Sequence, residues 1–380
     1  MKTKTPHVLT LGAALLLAPL TSALAQSTWK TVDALTPWLG RAIVADDTGN
    51  FISLALDDST SSAGPVSTVS SSSDGGATWK TVGSIAGYAG ELALAHNGAL
   101  FASGNRTATV SGRAVVWESL DHGVTWTQSD PWAGQTTTFI CLDVAAGNSG
   151  AVYLCGYISR AGRWVVRKGQ PTSSGITWTT ADNIPGFQPE SIWVRPVTQP
   201  GQADEVLVCG QGVSGLWTVR RSLDGAATWT TIDSFYVSSQ SYHGVTTGPG
   251  GSIYAVGRIY NAGTYGWLVR KSANDGATWA NVDFFPNGWP TKRNVAVDKF
   301  GRVFVVGFNS TTPYTWLVRA SIDGGATWFT TDSFLPSGDT TSQAWGVASD
   351  GLGNVCVVGE ASNSTGASSD VAPTRRLAAP

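Results

Sequence analysis

Short apolar runs separated by glycine-rich turns recur along the whole chain, and the pattern is clearest near position 250. Gly244 to Thr247 and Ser252 to Val256 read as two strands joined by Gly248-Pro249-Gly250-Gly251, a composition that suits a hairpin. Trp267-Leu268-Val269-Arg270 reads as a third strand, and Thr278-Trp279 opens a fourth. We call these strands A to D. The same frame returns with tryptophans at positions 79, 126, 178, 229, 279 and 328. A unit of this length holding four short strands predicts one blade of a β-propeller.

The chain ends complete the count. Thr28-Trp29-Lys30-Thr31-Val32 matches Thr78-Trp79-Lys80-Thr81-Val82 and reads as a strand D with no A, B or C before it. Gly346 to Ser349 and Asn354 to Val358 read as A and B, Val371 to Leu377 reads weakly as C, and no strand D follows. The N-terminal strand is therefore expected to complete the last blade, which removes an open sheet edge. The predicted architecture is all-β: residues 26–380 as one seven-bladed β-propeller domain of four-stranded antiparallel blades, with a partly flexible C-terminal tail.

A turn motif accompanies the repeat. Ser72 to Trp79, Ser119 to Trp126 and Ser321 to Trp328 follow Ser-x-Asp-x-Gly-x-Thr-Trp, and Ser222 to Trp229 has Ala226 at the glycine. In Ser272 to Trp279, Asn274 stands where the acid belongs, and the adjacent Asp275 is read as the acid of that turn. The third copy keeps only Gly175-Ile176-Thr177-Trp178. Asp74, Asp121, Asp224, Asp275 and Asp323 are expected to be structural, since Ser and Asp side chains bond nearby backbone N–H groups. Glycine accepts the positive φ of such a turn. Trp79, Trp126, Trp229, Trp279 and Trp328 then plug the blade core. Each box offers a single carboxylate and some lack it, so no metal and no cofactor are expected.

These turns resemble the bacterial neuraminidase repeat, or Asp-box, family, and the resemblance runs over essentially all of residues 26–380. It implies a propeller in which the boxes join strands C and D, on the face away from any active site. It implies little about activity, because sialidases, other glycoside hydrolases, sorting receptors and photosystem assembly factors share the repeat. A sialidase needs three arginines to clamp the substrate carboxylate, with a Tyr nucleophile assisted by Glu and an Asp acid/base. The family's first arginine sits in Arg-Ile-Pro, whereas this chain has Arg41-Ala42-Ile43. Arg293 offers a second arm, a third is not found, and Asp57 and Asp58 lie near where an acid would be wanted.

Composition narrows the partners. A formal net charge of -2 with 13% charged residues gives no field for nucleic acid and no polybasic membrane patch. Lys2, Lys4, the apolar run Val8 to Leu20 and Ala23-Leu24-Ala25 read as a signal peptide over residues 1–25, so the chain is expected to be secreted or periplasmic, not membrane-inserted, and monomeric. Export permits disulfides. Cys155 and Cys209 alternate with Val256, Val306 and Val358 at a core position, while Cys141 and Cys155 lie on neighbouring strands of one predicted hairpin and could bridge; the sequence leaves the pairing of Cys141, Cys155, Cys209 and Cys356 open.

Further residues repeat with the frame. Arg167, Arg220, Arg270 and Arg319 follow the strand C tryptophans, and Asp33, Asp182, Asp233, Asp283 and Asp332 follow strand D. Neighbouring strands suggest pairing within blades. Residues at the start of strand A do not repeat: Arg41, Glu91, Cys141, Ile192, His243, Arg293 and Trp345, with Glu190, Tyr242, Lys292 and Arg258 nearby. Arg41, Glu91, Glu190, His243, Arg293 and Trp345 form the candidate ligand rim at the channel mouth, where function sits on loops. The leading reading is a non-catalytic propeller binding a glycan or an extracellular protein there. The alternative is a glycoside hydrolase of the exo-alpha-sialidase type.

Overall fold

The computed structural model describes residues 28–35, 39–57, 64–105, 114–158, 161–196, 201–236, 242–261, 263–363 and 371–380. Residues 1–25, Trp38 and Asp58 lie outside these, as do the side chains of Asn105 and Arg293. The described residues form seven four-stranded antiparallel sheets, each in the order A-B-C-D. The A strands are Leu39–Ala45, Tyr88–Leu94, Phe139–Ala146, Gln188–Arg195, Tyr242–Thr247, Gly288–Val297 and Thr341–Ser349, for blades 1 to 7. They contact one another around a ring, so they line the channel. A–B and C–D connections share one face, which leaves B–C and D–A connections on the other.

Blade 7 closes as the repeat requires. Lys30–Leu35 pairs antiparallel with Ala372–Leu377, from Lys30 opposite Arg376 to Leu35 opposite Ala372. Trp29 is buried, meets Phe304 edge-on at 6.4 Å, and donates Nε1–H to Thr331 Oγ at 3.3 Å.

The core lies between blades. One apolar cluster joins Tyr153, Cys155, Trp164 and Val166 of blade 3 to Ile192, Val206, Val208 and Ala226 of blade 4. The strand C tryptophans Trp164, Trp217, Trp267 and Trp316 are fully buried. The box tryptophans are half-buried, each packed against the margin of an apolar cluster. Trp79, Trp126 and Trp328 donate to the carbonyl of the box glycine, whereas Trp229 and Trp279 reach Ala181 and Ile232 of the preceding blade. Their polar edge stays near the surface because it must find an acceptor.

The box turns hold themselves. Asp74 accepts from the N–H groups of Ala77 and Thr78 at 3.0 and 2.9 Å and from Thr78 Oγ at 2.6 Å, while Ser72 Oγ donates to it at 2.7 Å. Asp121, Asp224 and Asp323 repeat this. The Thr78 bonds lead in lowering the Asp74 pKa to about 2. Gly75 and Gly76 have φ of 70° and 81°, and Ala226 adopts 71° in the fourth copy. In the fifth copy Asn274, not Asp275, accepts the Thr278 N–H at 2.9 Å. Asp275 is one residue too late for that bond. Its carboxylate instead meets Arg195 and Arg221 at 2.8 and 3.1 Å. Blade 3 has lost the box altogether, and its strands Arg163–Thr172 and Gly175–Pro185 run on to a tight hairpin.

The repeated Arg and Asp pair between blades, not within them. Arg220 binds Asp182, Arg270 binds Asp233, Arg319 binds Asp283 and Arg375 binds Asp332, at 2.6 to 2.9 Å. The register gives the reason. Each Asp lies opposite the valine before the arginine, as Val219 lies opposite Asp233. Side chains alternate faces along a strand, so Arg and Asp of one blade point to opposite neighbours. The Cys141–Cys155 bridge that the predicted hairpin allowed does not form: Cys141 lies opposite Gly156, and all four cysteines are free and buried.

Candidate functional site

A β-bulge interrupts the inner strand of every blade, always near its B–C/D–A end. The unpaired residue is Arg41 in blade 1, Gly90 in blade 2, Leu142 in blade 3, Glu190 in blade 4, His243 in blade 5 and Trp345 in blade 7; blade 6 loops out Thr291 to Asn294. A bulge re-aims its side chain away from the ladder. The repeat permits it through a glycine on strand B. A Cβ on Gly104, Gly210 or Gly359 would stand 1.9, 2.4 or 2.0 Å from a strand A carbonyl oxygen. Five of the six rim residues named from the sequence, Arg41, Glu190, His243, Arg293 and Trp345, fall in these bulges, and Glu91 follows the sixth. In blade 3 the bulged residue is Leu142, not Cys141, whose thiol is buried and pushed up to about 12 by that burial.

The bulges bring distant blades together. Glu190 is 3% exposed, accepts a short hydrogen bond from Gln188, and meets the Lys292 ammonium at 3.1 Å. The sequence placed Lys292 near the rim, but nothing in its spacing foretells a partner a full blade away. Burial works against its charge, but Glu190 and then Glu91 outweigh this and raise its pKa. His243 lies between them. Burial pushes its pKa down to about 4; Glu190 opposes the shift, and Lys292 and Arg258 add to it. The imidazole is therefore neutral at pH 7. Next to them, Arg41 approaches Glu360 at 3.6 Å and stacks on Trp345 at 5.1 Å.

Beside the mouth, blades 5 and 6 carry an aromatic run. Tyr260 and Tyr265 lie 4.8 Å apart, Arg258 is held between Tyr265 and Trp289, and Trp289 stacks on Phe308 at 5.8 Å. Phe308 reaches Tyr314 at 5.7 Å. Phe187, Tyr236, Tyr260, Tyr265 and Tyr314 are all exposed at this end of blades 3 to 6. The box turns show no such surface.

The channel holds a cavity of about 710 Å³ that reaches from Arg41 to the A–B turns, where Asp47, Thr48 and His96 line its exposed end. It thus opens opposite the rim. No group of His, Cys, Asp and Glu that could hold a metal occurs among the described residues. No helix among them is long and apolar enough to cross a membrane.

Comparisons with known proteins place the fold. No family model matches the chain, and no curated protein matches it in sequence. A solved structure of YCF48 bound to D1 peptide superposes with a TM-score of 0.53 at 13% identity, covering 93% of this chain and 97% of the other. A protein of unknown function from Dyadobacter fermentans DSM 18053 gives 0.51 at 13%, covering 92% and 99%. An alpha-L-arabinofuranosidase from Fusarium graminearum, in complex with an iminosugar inhibitor, gives 0.50 at 12%, covering 76% and 91%. The similar structures thus include both an enzyme and a peptide-bound protein, and at these identities the likeness is one of β-propeller fold.

Proposed function

We propose that this chain is a secreted Asp-box propeller that binds a glycan or protein ligand at the channel-mouth face without catalysing a reaction on it. The observation that carries the reading is the internal pairing of the mouth. Glu190 is engaged by Lys292 and Gln188, and Arg41 by Glu360 and Trp345. A general acid must be free to hold and give its proton, and a carboxylate clamp must keep its charge free for the substrate. What faces outward instead is the aromatic run of blades 5 and 6, a shallow surface of the kind that supplies binding area. The exposed box turns of Asp74, Asp121, Asp224 and Asp323, each spending its carboxylate on its own turn, favour this face over the opposite one.

A glycoside hydrolase is the second reading. Its support is that the mouth carries two carboxylates, Glu190 against Lys292 at 3.1 Å and Glu91, whose charge also raises the Lys292 pKa. Fluorogenic sialoside and arabinofuranoside assays separate the two. The binding reading expects no product from either substrate. Turnover that disappears in Glu190→Gln or Arg41→Ala establishes the hydrolase and overturns the binding reading.

A further inference from the structure

Arg258, at the channel-mouth face, has no carboxylate partner among the described residues. Arg258 lies on strand B of blade 5, Ile253–Asn261. Its guanidinium carbon is 3.4 Å from the centre of the Trp289 ring and 4.1 Å from that of Tyr265. Among the described residues it makes no ion pair, and its buried Nε has no hydrogen-bond partner. Arg220, Arg270, Arg319 and Arg375 each hold an Asp, and Arg41 approaches Glu360; Arg163 and Arg167 lack a carboxylate but donate to Asn183 and to Pro131 and Thr180. Two rings fix the Arg258 plane, so little freedom remains to be lost when a planar anion docks.

The surroundings restrict the anion's carrier. Among the described residues, the large apolar side chains exposed at this end are Phe187, Tyr236, Tyr260, Tyr265 and Tyr314, which are aromatic, and Val213, which is aliphatic. Flat rings with phenol hydroxyls match a ligand with a flat C–H face and a hydroxyl edge. The large cavity, by contrast, has its exposed lining at the A–B end and does not include Arg258.

We propose that Arg258 is the anion-reading residue of this face, and that the ligand is a uronate-containing polysaccharide. One sugar carboxylate takes the Arg258 fork while neighbouring rings stack on Tyr265 and Tyr260. This rests on the binding reading above and names the ligand class for it.

The test is fluorescence anisotropy of labelled polygalacturonate titrated with the full chain, with pullulan and polyglutamate as the neutral and the peptidic comparison. Saturable binding to polygalacturonate is expected, and Arg258→Gln should weaken it about tenfold or more, the loss of a charge-assisted contact. Arg258→Lys should recover only part, because an ammonium cannot fork a carboxylate. Tyr265→Ala is the second variant, expected to weaken binding with the cation retained. Thermal melts of all variants show whether they are folded. Absence of polygalacturonate binding, equal binding of pullulan, or an affinity unchanged in folded Arg258→Gln overturns the proposal. Preference for polyglutamate also overturns it, in favour of an acidic peptide, and leaves the binding reading standing. Release of reducing ends from the polymer strikes the non-catalytic reading instead.

Discussion

Glu190 and Lys292 meet at 3.1 Å although a whole blade separates their strands, so their ion pair spans one side of the channel. Breaking a buried pair from one side leaves an uncompensated charge, but Lys292 keeps about a third of its side chain in solvent. Lys292→Met is therefore expected to cost about 2 kcal/mol, below the range for fully buried pairs. Adding Glu190→Gln should return most of it. Urea denaturation of the single and double variants measures this.

His243 reports the same cluster. Its folded pKa of about 4 lies below the ordinary 6.5, so the unfolded chain takes up its proton first as pH falls. The stability this group confers is full above pH 6.5 and is lost as pH falls from there to about 4. Removing Lys292 removes one repulsion and keeps the Glu190 attraction, so the His243 pKa should rise. An NMR titration of the imidazole in wild type and Lys292→Met checks the direction; a fall would contradict it.

The inter-blade arginines make a prediction about what interrupts them. In blade 1 the place of Arg270 is taken by Ser70, and Asp33, the matching acid of blade 7, has its pKa raised by burial, against one backbone bond from Ala34. Charge on Asp33 thus opposes folding at neutral pH, while charge on Asp233 is held by Arg270 and by the Tyr242 hydroxyl at 2.6 Å. Asp33→Asn is expected to be neutral or to stabilise by up to about 1 kcal/mol, and Asp233→Asn to destabilise by about 3 kcal/mol. Urea midpoints of the two variants should move in opposite directions or differ by that margin.

The box acids set an acid limit. Asp74 and Asp323 are both lowered to about 2; for Asp323 burial opposes the shift and the Thr327 and Ser321 bonds overcome it. A lowered carboxylate stabilises the fold above its unfolded pKa near 4, and that contribution is lost as pH falls through 2. Asp74→Ala is expected to cost about 1 kcal/mol at pH 7, given its exposure, and almost nothing at pH 2. Melting curves at the two pH values test the convergence.

Closure of the ring depends on the N-terminal strand. Trp29 fills the space beside Phe304 and bonds Thr331. Trp29→Ala is expected to cost about 3 kcal/mol through the cavity it leaves. Hydrogen exchange should show the loss first along Ala372–Leu377, the strand that Lys30–Leu35 covers.

The fold was legible because its signals are periodic and local. Trp79 and its counterparts mark strand D, Gly248 to Gly251 marks a hairpin, and the unmatched copy at Trp29 announces the composite blade. The site was legible in outline, since Arg41, Glu190, His243 and Trp345 differ from blade to blade where the repeat otherwise holds. Their bulges were not legible, because an unpaired residue changes register without changing composition. Long-range partners were equally hidden. Val219 lying opposite Asp233 decides that Arg220 faces the other neighbour, and Asp275 finds Arg195 only through the curvature of the ring.

The most direct test of the central claim, a ligand surface at the channel mouth with structural turns opposite, is a hydrogen-exchange footprint on the full chain saturated with whichever polymer it binds, with product release followed in the same sample. The account expects protection at Arg258 to Tyr265, at Gly288 to Lys292 and around Tyr314, no change at the box turns, and no product. Protection confined to Asp46 to Asn50 and His96 at the cavity's exposed end, or product accumulating with time, would contradict it.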